Sequence, residues 1–246
     1  MAVRALHFMF PGIQNVGCLF QMRTPAYEDP SEGTIVFRDN VDPKAVLKNR
    51  KDLLSLTGVS SFAEVHQVHG DKIVFEPSNA KVDEKATLEA DGLATQKSGL
   101  ALMIKTADCQ PLLLAHKSGK YIAALHVGWR GNRQLFPFTG VRSFCQTYNI
   151  QPSDCVAVRG PSLGPARARF THFGVEWGGY FAKYLDLATS TMDLWGMTRD
   201  QLVQAGIPER NIYGIDICTA SNAASFFSYR EDRNCGRQAA LIWRLY

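Results

Sequence analysis

Short apolar runs, each cut off by glycine, proline or charged residues, recur along the chain and set its expected elements. "DKIVFEP" (71–77), "GLALMIK" (99–105), "PLLLAHK" (111–117) and "KYIAALHVG" (120–128) have the length and aliphatic content of strands. "DCVAVRGPSLGP" (154–165) reads as a strand running into a glycine–proline turn. "NIYGIDICT" (211–219) and "RQAALIWRL" (237–245) read as two more strands. Helical signals lie between them. Segment 42–58 has Asp42 as N-cap, Pro43 at the first helical position, apolar Val46, Leu47, Leu53 and Leu54, and a closing Gly58. Further helices are expected over 135–149, 175–186 and 193–206, the last stopped by Gly206 and Pro208. Segment 222–232 reads as a short helix or loop, and "TPAYEDPSEG" (24–33) as a loop. Strands and helices mix without a βαβ rhythm. The expectation is one α+β domain over residues 1–246, built on antiparallel or mixed sheets.

The two runs flanking Ser118–Gly119 predict a β-hairpin with a two-residue turn. If Lys117 faces Lys120, Pro111 faces His126 and Cys109 faces Gly128. Cys109 and His126 then share a sheet face as diagonal neighbours, roughly 7–8 Å apart at the backbone. Lys105, Asp108, Cys109, His126 and Arg130 thus gather where the apolar runs end.

A cysteine beside a histidine supports two chemistries. The imidazole can activate the thiol as a nucleophile, or the two can be ligands of a zinc ion that needs a third. "EVHQVHGD" (64–71) offers that third ligand from either His66 or His69, with Gly70 giving the backbone room to turn. Side chains three apart on a strand point to opposite faces, so at most one of the two joins. Asp108 fits a turn residue or a carboxylate that orients a histidine. Asp91, in "EADGL", fits a β-turn. Arg130 offers a planar fork to an anion or sits satisfied at the surface. His7, His116 and His172 stand alone.

Composition and charge narrow the classes. With 46% hydrophobic and 20% charged residues among 246, the chain has ample material for a core. A net charge of +4 without any dense Lys/Arg run argues against a nucleic-acid partner. No apolar stretch approaches the roughly 18 residues of a membrane span, and the N-terminal segment lacks a signal-peptide core. A cytoplasmic location is expected. The six cysteines show no CxxC, which in a reducing compartment leaves each thiol to be read on its own.

"QVHG", "ADG", "TADCQPLLL", "HVGWRG", "GPSLGP", "ICT", "FFSYR" and "GRQAALIW" follow one another in this order. Together they resemble the YfiH-like family, known both as multicopper polyphenol oxidases (laccases) and as purine nucleoside phosphorylases. The resemblance implies an α/β/β/α layered domain similar to the catalytic domain of cytotoxic necrotizing factor toxins. It also implies a zinc site of His69, Cys109 and His126. The early glycine- and serine-containing loop of the family is replaced here by "FQMRTPAYEDPSEGTIVFRDN", in which Arg23 stands for the loop arginine. Segment 164–177 departs from the family as well.

A four-copper laccase needs many histidines, and this chain has six, with no His-x-His pair. Copper at a Cys/His site in vitro is all that remains of that reading. The leading expectation is a zinc-dependent purine nucleoside phosphorylase acting on adenosine, inosine or methylthioadenosine, with adenosine deamination as an associated activity. Cys109 and His126 would then orient and polarise the nucleoside, with Asp91 or Asp108 in proton transfer or in orienting a histidine. Arg23, Arg130 and Arg230 would hold phosphate. A second class is an amide hydrolase, with Cys109 as nucleophile or a zinc-bound water, acting on a cell-wall precursor. A third is a non-catalytic zinc-binding protein.

Overall fold

The computed structural model describes residues 3–29 and 31–246. In chain order its first strands are β1 (Ala5–Met9), β2 (Val16–Gln21), β3 (Ser61–Ala63), β4 (Ile73–Phe75), β5 (Gly92–Thr95), β6 (Leu100–Thr106), β7 (Gln110–His116) and β8 (Ile122–Val127). They are followed by β9 (Cys155–Arg159), β10 (Leu185–Asp186), β11 (Thr191–Met192), β12 (Ile212–Gly214) and β13 (Gln238–Arg244). The helices are α1 (Pro43–Ser55), α2 (Trp129–Arg133), α3 (Phe136–Tyr148), α4 (Phe173–Glu176) and α5 (Leu194–Gln204).

Two sheets carry the fold, one of five strands in the order β1-β2-β13-β6-β3 and one of six in the order β12-β9-β7-β8-β5-β4. Both are mixed. β3 with β6, β4 with β5 and β9 with β12 pair in parallel, and the other pairs are antiparallel. The sheets pack face to face. Cys18, Phe20, Leu102, Ile104 and Ile242 of one meet Leu113, Ala115, Ala124 and Val158 of the other.

Each outer face is covered in turn. Leu53 of α1 and Ile35 lie with Leu19, Met103, Leu241 and Trp243. Val141 and Phe144 of α3 and Leu202 of α5 cover Leu112, Leu114 and Leu125. A strand buried on both faces needs no polar alternation, which is why β6 and β7 read as unbroken apolar runs. The layering is α/β/β/α. Among the described residues no helix is long and apolar enough to cross a membrane.

Local signals act as read for α1: the Asp42 side chain accepts from the Lys44 N–H, and Gly58 turns the chain at φ = +71°. The helix expected over 175–186 does not form. Gly178 adopts φ = +95°, α4 stops before it, and a 3-10 turn over Gly179–Tyr184 leads into β10. The strand expected over 211–219 is confined to β12, while segment 154–165 forms β9 and then leaves the sheet at Gly160, as expected. The β1–β2 hairpin had no strand signal, because Gly17 and Cys18 dilute it. Gly17 is there for packing: the Trp243 indole lies where its Cβ would be.

Candidate metal centre

The β7–β8 hairpin pairs Pro111 with His126 and Gln110 with Val127, which is the expected register. The turn itself is wider than two residues. His116 N–H donates to Tyr121 O at 3.0 Å and Gly119 N–H to His116 O at 2.8 Å, so residues 117–120 form the loop. Widening by one residue on each side leaves every pairing unchanged. Cys109 therefore stands just before β7, level with Gly128 just after β8. A Cβ on Gly128 would lie 3.0 Å from Cys109 Sγ and 3.1 Å from His69 Cδ2, so the missing side chain is what lets these groups approach.

His69 arrives on a loop of unusual backbone, φ = +62° at a residue with a side chain. The turn is made by His69 itself, not by Gly70 as the sequence suggested. Asp91 holds it there. Its carboxylate accepts from the N–H groups of Val68 at 3.1 Å, His69 at 3.0 Å and Gly70 at 2.7 Å. The same carboxylate accepts from Nδ1 of His126 at 2.7 Å, and the Asp91 carbonyl accepts from the His126 N–H at 2.7 Å. Asp91 is fully buried, so this is no surface turn residue. One carboxylate fixes two histidines.

The outcome is a compact donor set. One nitrogen of His69, Sγ of Cys109 and one nitrogen of His126 lie within 4.8 Å of one another. Cys109 Sγ is 3.8 Å from His69 Nε2, and the two imidazoles meet edge to face with centroids 4.9 Å apart. His126 is buried, while Cys109 and His69 are partly exposed. His66 points to solvent and stays outside.

Charge follows geometry. Burial opposes ionisation of Cys109, but the His126 charge and hydrogen bonds from His126 and His69 outweigh it and bring the thiol down to about 6. For His126 burial again disfavours charge. The Cys109 thiolate and the Asp91 hydrogen bond prevail and raise it to about 9. Burial works against the Asp91 carboxylate too, but the hydrogen bonds from His126 and Gly70 lower it. A thiolate and two imidazoles, one with Nδ1 committed to a carboxylate so that Nε2 is the free donor, suit zinc with a fourth position open.

The contacts of the remaining candidates run to other groups. Asp108, at φ = +84°, directs its carboxylate to Thr219 Oγ1 and to the Arg230 N–H, both at 2.6 Å, and not to a histidine. It ties the 219–230 loop to the chain beside Cys109. Arg130 is exposed, its guanidinium 4.5 Å from the Trp129 ring. Arg230 donates to the Arg169 carbonyl at 3.0 Å and lies over Phe170. Arg23 donates to Ala223 O at 2.8 Å and pairs with Glu32. The three arginines thus do not converge on one point through the contacts they make.

Sequence reading missed one supporting residue. The Gln67 side chain accepts from the Lys105 N–H and donates to the Lys105 carbonyl, both at 2.8 Å, which mimics a strand partner at the end of β6. The signal was in "QVHG", where an amide two residues before a ligand can anchor the loop that carries it.

Residues 25–245 match the family model described as multi-copper polyphenol oxidoreductase laccase. A purine nucleoside phosphorylase of Xylella fastidiosa is 32% identical over 216 residues, covering 82% of this chain and 79% of that protein. Purine nucleoside phosphorylase YfiH of Escherichia coli is 30% identical over 214 residues, 82% of each chain. Two solved structures share the fold at 24% identity. YlmD of Geobacillus stearothermophilus has a TM-score of 0.81 over 96% of this chain and 94% of its own. The Bacillus licheniformis protein YfiH has a TM-score of 0.79 over 93% and 92%.

Proposed function

The chain belongs to the YfiH-like, multi-copper polyphenol oxidoreductase laccase family, and on that premise we propose that it cleaves purine nucleosides at a zinc ion held by His69, Cys109 and His126. The observation that carries this reading is the placement of the three donor atoms within 4.8 Å, with Asp91 behind two of them. The relatives named purine nucleoside phosphorylase supply the substrate class, a purine nucleoside. Adenosine and inosine are the first substrates to try, methylthioadenosine the next, with deamination of adenosine scored alongside.

When bound, zinc supplies Lewis acidity and a fixed positive charge at an open coordination position. The chain's own residues do the rest. Asp91 holds the proton on Nδ1 of His126 and so presents Nε2. Cys109 presents a thiolate at neutral pH. Gly128 leaves the space that the ligands share. Arg130, exposed and 4.5 Å from the Trp129 ring, would meet an anionic or polar group of the substrate.

A second reading rests on the same Cys109–His126 pair, whose charges favour a thiolate nucleophile in an amide hydrolase. Metal and product analysis separate the two. Zinc near one per chain together with base release from inosine supports nucleoside cleavage. Metal-free protein with full activity toward an amide, and none toward inosine, would replace it.

A further inference from the structure

Arg23 stands where three strands of one sheet end together. Phe20 in β2 pairs with Ala240 in β13, and Gln238 at the start of β13 pairs with Thr106 at the end of β6. Arg23 follows β2 by two residues and Cys109 follows β6 by three, so both leave the sheet at the same end of its strands. Two inter-strand spacings separate β2 from β6, roughly 10 Å. That is the right side of the molecule for an anion that must meet a substrate at the metal centre.

The guanidinium already holds one anion, a carboxylate of its own chain. Arg23 is held by its N–H to Ser225 O at 2.7 Å, one fork nitrogen donates to Ala223 O at 2.8 Å, and the fork lies 5.4 Å from the centre of the Phe227 ring. The other fork nitrogen is taken. It donates to Glu32 Oε1 at 2.6 Å, and both side chains are only 26% exposed. Glu32 is locked in this position. Its backbone adopts φ = +54°, and its carbonyl accepts from the Thr24 N–H at 2.9 Å. Asp29, by contrast, turns its carboxylate inward onto the Ser31 and Gly33 N–H groups. Glu32 is therefore the loop charge that Arg23 meets.

We infer that Glu32 determines the acceptor: it fills the anion fork of Arg23, keeps inorganic phosphate out, and leaves water to attack the nucleoside. This rests on the nucleoside-cleaving reading above. In the reaction the water oxygen bonds to ribose C1′ as the C1′–N9 bond breaks. The bonding pair leaves with N9, and the proton lost by water reaches the base through solvent, so nothing is oxidised or reduced. A phosphate dianion beside Glu32 would face a like charge at close range, a juxtaposition that strongly disfavours binding.

The test is calorimetric titration of inorganic phosphate into the wild type, Glu32→Gln, and Glu32→Gln combined with Arg23→Gln. Wild-type affinity is expected in the millimolar range or weaker. Glu32→Gln should bind about tenfold tighter or more, and the double variant should lose that gain. Equal affinity in wild type and Glu32→Gln overturns the inference. With inosine and millimolar phosphate, the wild type should yield ribose, and Glu32→Gln a larger share of ribose 1-phosphate. Ribose 1-phosphate as the wild type's sole product would also overturn it. Failure of every variant to release base would sink the nucleoside reading instead, while the titration still decides whether Glu32 blocks Arg23.

Discussion

The Asp91 carboxylate lies 2.7 Å from Nδ1 of His126 and 3.0 Å from the backbone N–H of His69, through the same oxygen. One atom thereby sets the tautomer of one histidine and the loop position of the other. Asp91→Asn keeps the size but loses the charge and one acceptor, and an outer partner of this kind typically contributes about 10–100-fold in metal affinity. Zinc competition against a chromophoric chelator should show a loss in that range. Unchanged affinity would mean that the histidines are oriented by packing alone.

Cys109→Ser should leave purified protein with essentially no zinc, because the thiolate supplies much of the preference for zinc over harder cations. Elemental analysis of protein that retains its wild-type circular dichroism is the check. Unchanged zinc would move the metal to a different ligand set.

The thiol of Cys109, brought down to about 6 chiefly by the His126 charge against the effect of burial, gives a pH signature in chelator-stripped protein. Its thiolate should predominate at neutral pH and be lost only as pH falls through that value. Alkylation by iodoacetamide, followed at the Cys109 peptide, should therefore rise with a midpoint near 6. In His126→Gln the midpoint should climb toward the ordinary value of about 8.5. A wild-type midpoint already at the ordinary value would show that the imidazole charge is absent.

Gly128 has ordinary extended backbone, φ = −77°, so alanine is conformationally acceptable there. Its only effect is the new methyl, 3.0 Å from Cys109 Sγ and 3.1 Å from His69 Cδ2. Gly128→Ala should weaken zinc binding by about tenfold or more with a thermal midpoint close to wild type. A large fall in the midpoint with intact zinc affinity would assign Gly128 to folding.

Glu64 joins Arg50 at 2.8 Å and Lys105 at 2.5 Å, with the Arg50 and Glu64 side chains 2% and 1% exposed. Glu64→Gln leaves a buried guanidinium and an ammonium without their counter-charge, which costs about 3–5 kcal/mol when a buried pair is broken. Urea denaturation should show this loss. A shift under about 1 kcal/mol would show that water replaces the carboxylate.

The hairpin register was legible because two apolar runs of matching length flank one turn, and an error in loop width was harmless once it was symmetric. Cys109 and His126 followed from that register. Spacing alone left the choice between His66 and His69 open, and only the family resemblance pointed to His69. The choice is made by Asp91, which reaches across 22 positions to hold His69 in a left-handed conformation no local pattern announces. Segment 175–186 was misread for a related reason. Trp177 packs on Trp129, Phe170 and Phe181, so the spacing of these rings reports an aromatic cluster and not a helix face.

β13 lies between β2 and β6 in its sheet, yet more than a hundred positions separate it from either. A ribosome that has released β2, β6 and the loop carrying Cys109 has therefore produced a sheet with an open seam. β2 and β6 cannot be bridged until the segment around Trp243 emerges, and such long-range closure is slow compared with local pairing. The nascent chain carries unpaired strand edges in the meantime, which makes it a natural client for chaperones. The cluster of His69, Cys109 and His126, whose Cys109 leaves the sheet from β6, takes its final shape among the last parts of the protein to do so.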